Sequence, residues 1–124
     1  MENTSYQLST SVSDGILEIV ATGEITKNDL DRLRGEVLAL IRKENAKAVL
    51  WSGRAMKGPT DIATAYFRAR SVPLNVKVIP CAIVEPSQNK EFQSFYEATA
   101  TNSGQLLKYF TDIEAARAWL KSIL

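Results

Sequence analysis

Residues 52–60, with the sequence SGRAMKGPT, carry the residue types best suited to chemistry in this chain. Gly53 and Gly58 stand at the spacing of the two glycines in a phosphate-binding P-loop, and Thr60 stands at its hydroxyl position. Pro59 replaces the lysine that such a loop needs, and it also removes one backbone N–H from the phosphate cradle. The segment therefore does not predict a nucleoside triphosphatase.

The same segment does predict a binding loop. Arg54 and Lys57 make it cationic, and the N-terminus of a following helix can hold an anion. Open α/β sheets bind ligands at the carboxyl ends of their strands, which is where this loop is expected to lie. The residues of the predicted ligand- or partner-binding loop are Ser52, Gly53, Arg54, Lys57, Gly58 and Thr60. The alternative is an exposed turn in which Thr60 only caps a helix.

Aromatic side chains on both sides of this loop suggest an apolar pocket or interface. Tyr66 and Phe67 are adjacent, so both cannot enter the same core from one helix, and one of them must face another surface. The residues of the predicted pocket or interface are Trp51, Met56, Tyr66, Phe67, Phe92 and Tyr96. The alternative is an ordinary core with one exposed aromatic side chain.

The composition excludes several classes of activity. Histidine is absent, which removes imidazole bases and histidine-bound zinc, and the single cysteine, Cys81, excludes a disulfide framework. Cys81 lies in an apolar run, which predicts an inert buried thiol. The acidic residues show no metal-ligand spacing. We therefore expect no catalytic residue, no metal, no cofactor and a non-enzymatic protein.

Charge and hydropathy narrow the partners and the location. With 15 basic and 14 acidic residues there is no global field that favours nucleic acid. The apolar runs are too short to span a bilayer, and no export signal opens the sequence. A free cysteine without an export signal predicts a cytoplasmic protein.

The first half of the chain predicts a hairpin followed by helices and strands in alternation. Asp14-Gly15 is a hairpin turn between two strands. Thr26 and Asp29 form a capping-box pattern ahead of a helix, and residues 46–51 predict an interior strand. Apolar residues at helical spacing predict a second helix after Thr60.

The second half continues the alternation. Residues 76–84 predict a strand, in which Pro80 indicates an edge position or a bulge. A third helix is expected after Ser87, a strand at 106–110, and a last helix that begins with Thr111 and Glu114 as a second capping box. The prediction is one α/β domain over residues 1–124, with a mixed, mainly parallel sheet, four helices and the order ββαβαβαβα.

This order of elements resembles the SpoIIAA-like proteins of the STAS/SEC14 group, which are small bacterial α/β domains. Three stretches carry the resemblance: the Gly-Glu strand exit at residues 23–30, the apolar strand at 78–84, and residues 110–120, which match a Phe-x-Asp-x-x-x-Ala-x-x-Trp-Leu ending. The resemblance implies a regulatory or protein-interaction module. The resemblance to SEC14 proteins within this group implies an alternative function, a carrier or sensor of a small amphipathic or lipid-like ligand.

The resemblance also implies a phosphorylation site. In STAS domains that act as anti-sigma factor antagonists, a partner kinase phosphorylates a serine at the start of the helix after the third strand. Here the strand ends in Trp51-Ser52 instead of aspartate, and Thr60 provides the hydroxyl at the helix start. Thr60 is therefore a candidate phosphosite, although only this hydroxyl remains of the family pattern. A protein partner is expected, and the size of the domain suggests a homodimer through a helix face or a sheet edge, with one of Tyr66 and Phe67 as a candidate anchor.

Overall fold

The strands and helices of the protein are taken from a computed structural model that describes residues 6–24, 26, 29–57, 79–85 and 90–124. These residues include five strands: β1 Tyr6–Ser13, β2 Ile16–Glu24, β3 Ala48–Lys57, β4 Cys81–Val84 and β5 Leu107–Phe110. The described residues contain three helices: α1 Leu30–Glu44, α2 Lys90–Asn102 and α3 Ile113–Ile123.

The strands form one sheet in the order β1-β2-β3-β4-β5. β1 is antiparallel to β2, and the other neighbouring strands are parallel. The predicted hairpin is confirmed, because Asp14 and Gly15 both have positive φ, at 56° and 80°, as a two-residue type I′ turn requires. The expected α/β domain with a mixed, mainly parallel sheet is therefore present.

Helices cover both faces of this sheet. α1 and α2 lie on one face, because Ile41 packs with Leu17 and Ile19, and Tyr96 packs with Ile83. Each of these helices connects two neighbouring parallel strands, and right-handed connections place both helices on the same face of the sheet. α3 covers the opposite face, where Ala116 and Leu120 are fully buried against the apolar residues Ile16, Ala48, Leu50, Ala82 and Val84.

The number and order of the helices differ from the prediction. Among the described residues the order is ββαββαβα, with three helices instead of four. The helix expected after Thr60 lies outside the described residues, as does Ser87, the expected cap of the following helix. Pro80 precedes β4, and its carbonyl accepts a hydrogen bond from the Val49 amide at 2.9 Å. β4 is an interior strand, so the predicted edge position was wrong; proline costs nothing there because the ladder begins at Cys81.

Both predicted capping boxes need correction. At α1, Asp29 is the N-cap residue. Its carboxylate accepts hydrogen bonds from the Thr26 amide and hydroxyl at 3.0 Å each. Of the two bonds of a capping box, only the one from the side chain of residue 29 back to the Thr26 amide is therefore formed. At α3, Asp112 caps the helix in place of Thr111, with its carboxylate accepting from the Glu114 amide at 3.3 Å. Asp112 holds the extended backbone that an N-cap needs, at φ −119° and ψ 124°.

Candidate functional site

The candidate site lies at the carboxyl edge of the sheet, where the parallel strands β2 to β5 end. Residues 52–57 were predicted as a loop, but they continue β3 to Lys57. The reason is that β2 runs on to Glu24 and gives them a partner strand, with Thr22 opposite Ala55 and Glu24 opposite Lys57. Hydrogen bonding to a neighbouring strand thus overrides the local loop signals of glycine and charge.

A bulge interrupts this pairing in the middle of the predicted loop. Val20 is opposite Ser52, whereas Thr22 is opposite Ala55, so β3 contains one residue more than β2 between these pairs. A β-bulge bends its strand and increases the local twist. Gly53 and Arg54 are therefore positioned by an irregular strand at the edge of the sheet.

Gly53 gives space to two polar groups. A Cβ atom added there would lie 2.9 Å from Glu85 Oε2 and 2.9 Å from Trp51 Nε1, which is closer than real contacts allow. Glu85 follows β4 directly, and its amide donates a hydrogen bond to the Phe110 carbonyl at 3.1 Å. The absence of a side chain at Gly53 lets a carboxylate and an indole N–H come together beside buried backbone. We call Trp51, Ser52, Gly53 and Glu85 the carboxyl-edge site.

A second polar group, the Tyr6 cluster, consists of Tyr6, Asp29, Arg32 and Glu36. The Tyr6 hydroxyl donates to Glu36 Oε1 at 2.7 Å and accepts from Arg32 Nε at 3.2 Å. Arg32 Nη2 also donates to Asp29 Oδ1 at 2.9 Å. Trp51 packs against the buried pair Tyr6 and Leu33, so the Tyr6 cluster borders the carboxyl-edge site.

The ionisation of the Tyr6 cluster follows from these contacts. Burial raises the pKa of Tyr6 above its usual value, and the carboxylate of Glu36 raises that pKa further. The backbone N–H of Thr26, followed by its hydroxyl, lowers the pKa of Asp29. Near neutral pH the cluster therefore contains a neutral phenol among charged side chains. Its hydrogen bonds hold the first turns of α1 against β1. Helical spacing alone could not predict this cluster, because Tyr6 and Arg32 are 26 residues apart in the sequence.

The structure divides the predicted aromatic site. Tyr96 is buried and meets Tyr109 edge to face at 6.1 Å between ring centroids, and Trp51 packs into the clusters below α1 and α2. Tyr96 is therefore a core residue, whereas Trp51 is half-buried and its indole N–H lies beside Gly53 in the carboxyl-edge site. Met56 lies in β3 and Phe92 in α2. Tyr66, Phe67, Gly58 and Thr60 lie outside the described residues.

Cys81 is the first residue of β4 and therefore lies at the amino ends of the strands, away from the carboxyl-edge site. Burial raises the pKa of the Cys81 thiol to about 12, so the thiol stays protonated and unreactive at neutral pH. The described residues contain no group of three or more acidic or cysteine side chains arranged to hold a metal ion. Within the same residues, no helix is long and apolar enough to cross a bilayer.

Two solved structures are similar to this chain over nearly its full length. The crystal structure of an anti-sigma factor antagonist from Mycobacterium paratuberculosis gives a TM-score of 0.63 at 13% sequence identity and covers 94% of this chain and 95% of its own. An uncharacterized DUF3478-family protein with a SpoIIAA-like fold from Shewanella loihica gives a TM-score of 0.58 at 16% identity, covering 97% and 98%. No protein-family model and no curated protein sequence matches this chain.

These similarities define the class of fold. The chain has the SpoIIAA-like fold, as its resemblance to that group implied. A shared fold does not by itself carry an activity, because activity depends on the residues of the site.

Proposed function

We propose that this protein is a non-enzymatic regulatory module that acts by binding a protein partner. The observation that carries the proposal is the fold shared with an anti-sigma factor antagonist over 94% of this chain. The site supports it, because the described part of the carboxyl edge brings the Glu85 carboxylate and the Trp51 indole N–H beside Gly53.

The proposed partner surface is the carboxyl edge around β3. It comprises the residues of the original loop prediction, Ser52, Gly53, Arg54, Lys57, Gly58 and Thr60, together with Glu85. The extension of β3 supports this surface, because it fixes the backbone of Arg54 and Lys57 at the edge where α/β sheets bind ligands. Two basic residues at one edge favour an acidic patch on the partner.

Thr60 is the proposed regulatory phosphosite. Its hydroxyl is at the sequence position that the STAS resemblance implies, shortly after β3. A phosphate there would add about two negative charges within six residues of Arg54 and Lys57 in the sequence, and this would weaken the attraction of the segment for an acidic partner.

A lipid-like ligand is less well supported. Two grooves among the described residues share Gln93 and Tyr109, and both are open to solvent. A lipid carrier needs an enclosed apolar cavity instead. A cytoplasmic location, expected from the sequence, stays a prediction.

Affinity capture followed by a binding titration tests the proposed function. The wild-type chain is used to capture a partner from a lysate of the source cells, and the purified partner is titrated against two double variants. Arg54→Ala/Lys57→Ala is expected to weaken binding by about tenfold, which is about 1.4 kcal/mol. Arg42→Ala/Lys43→Ala removes the same two residue types from the exposed last turn of α1, at the opposite edge of the sheet, and is expected to bind like wild type.

The same titration tests the phosphosite, and native mass spectrometry tests the lipid-carrier alternative. Thr60→Glu should bind more weakly than Thr60→Ala if the hydroxyl is a switch. Equal binding by both Arg/Lys double variants would contradict the proposed surface. A lipid mass retained in native mass spectrometry, without any protein partner, would replace the regulatory module by the carrier.

A further inference from the structure

The two edges of the sheet are protected very differently. At the β5 edge the strand has four residues, one of them Lys108, and its Tyr109 amide donates to the Glu97 carboxylate at 3.1 Å. Such features prevent another strand from pairing. β1 at the other edge has eight residues, YQLSTSVS, without charge or proline, and it pairs with β2 in unbroken register. No described strand pairs with its outer side.

The hairpin determines which backbone groups of β1 face outward. In a two-residue turn the Ser13 carbonyl accepts from the Ile16 amide, so Ser13 and Ile16 form a hydrogen-bonded pair. Hydrogen-bonded and non-bonded pairs alternate along antiparallel strands. The amides and carbonyls of Leu8, Thr10 and Val12 therefore point away from β2 and are available to another strand.

We infer that β1 pairs with β1 of a second copy of this chain, in antiparallel orientation, and joins the two sheets into one of ten strands. The two-fold axis passes beside Thr10, which lies opposite Thr10 of the second copy. This register uses the outward groups of Leu8, Thr10 and Val12 on both chains, and it forms a symmetric interface of the kind found in two-fold dimers.

Side-chain matching favours this register. Leu8 comes to lie opposite Val12 of the second copy, and Ser9 opposite Ser11. Val12 is 45% exposed in the single chain and Leu8 is half-buried, so the pairing covers apolar surface on one face. Threonine, serine and aliphatic pairs of this kind stabilise antiparallel strands, and no charge is placed opposite a like charge.

α1 covers only the start of β1. Leu33 of α1 packs with Tyr6, and Leu8 lies against that pair. The following residues of β1, Ser9 to Ser13, are exposed. Partner binding is proposed at the carboxyl edge, whereas this pairing uses the outer side of β1. The two inferences can therefore fail independently.

Sedimentation equilibrium of the full chain tests the pairing. Wild type is expected to sediment as a species of twice 13.7 kDa. Thr10→Lys places two ammonium groups beside the two-fold axis and is expected to give monomer. Thr22→Lys makes the same exchange at an exposed position of β2, away from the outer edge, and is expected to remain a dimer. Circular dichroism checks that both variants are folded.

Disulfide trapping gives a second readout that does not depend on the lysine variant. In a Cys81→Ser background, Thr10→Cys is expected to cross-link to itself under mild oxidation, because opposite residues in such a pair have Cα atoms about 5.5 Å apart. Ser9→Cys alone should not cross-link, since two copies of Ser9 are about 8 Å apart diagonally. A mixture of Ser9→Cys and Ser11→Cys chains should cross-link to each other.

Three results would overturn the inference. They are a wild-type monomer at concentrations up to about 1 mM, a dimer that survives Thr10→Lys, and equal cross-linking of Thr10→Cys and Ser9→Cys.

Discussion

At the scale of single residues, Tyr6 holds the most informative position. It is only 3% exposed, and its hydroxyl lies between Arg32 and Glu36 at the junction of β1 and α1. Buried polar groups stabilise a fold only when their hydrogen bonds are made. The Tyr6 cluster therefore fixes the α1 end that borders the carboxyl-edge site.

Tyr6→Phe removes both hydrogen bonds and leaves the ring in place. We expect the free energy of unfolding, measured with urea, to fall by about 1–2 kcal/mol. The pH dependence should also change. Because the pKa of Tyr6 in the folded state is raised above 10.0, the unfolded chain loses this proton first, so stability is full below pH 10 and falls above it. In Tyr6→Phe this part of the alkaline loss should be missing; an identical loss in both proteins would contradict the assignment.

At the scale of elements, local sequence signals explain where most helices and strands begin and end, and pairing with distant strands explains the rest. The hairpin follows from Asp14-Gly15, and α1 ends at Asn45, which has a left-handed φ of 51°. The end of β3 could not be predicted in the same way, because Gly53 and Arg54 indicate a loop locally and only the extension of β2 to Glu24 keeps them in the sheet.

The cap of α3 is a second case in which local rules leave a choice. Thr111 and Asp112 are both good N-cap residues, and the backbone geometry selects Asp112. Asp112→Ala is expected to lower the free energy of unfolding by about 1 kcal/mol, whereas Thr111→Ala should change it by less than about 0.5 kcal/mol. Urea titrations of the two variants measure the difference. The reverse order would restore the capping box predicted from the sequence.

At the scale of the whole molecule, one sheet is packed on both faces, with α1 and α2 on one face and α3 on the other. Trp51 packs below α1 and α2, and Trp119 packs on the α3 face, where its ring is 5.7 Å from that of Phe110. Arg117 adds a link from α3 to β2, with Nε and Nη2 each 2.9 Å from the Glu18 carboxylate. This paired geometry holds the pKa of Arg117 above its usual range. We therefore expect the two faces to unfold together.

Single-tryptophan variants test that cooperativity. Trp119→Phe leaves Trp51 as the fluorescent reporter, and Trp51→Phe leaves Trp119. Within each variant, the urea midpoint from tryptophan fluorescence should equal the midpoint from circular dichroism, because a two-state chain unfolds in one transition whichever probe is used. Fluorescence and circular dichroism midpoints that separate within one variant would show that α3 detaches on its own.

The candidate site was only partly accessible to sequence reasoning. The carboxyl edge followed from the order of elements, and Ser52 and Gly53 lie at it in β3; their part in binding stays a prediction. Glu85 was missed because its approach to Gly53 depends on the register between β3 and β4, with Ser52 opposite Val84. Trp51 and Tyr96 were predicted to line a pocket or interface because composition cannot distinguish a core aromatic from an exposed one.

The central claim, partner binding at the carboxyl edge, is tested most directly by nuclear magnetic resonance. The ¹⁵N-labelled chain is titrated with the captured partner, and amide shifts are mapped onto the structure. The account predicts the largest shifts at Ser52, Gly53 and Glu85 and the smallest along α3 around Trp119. Shifts centred on Trp119, with Ser52 and Gly53 unchanged, would contradict it.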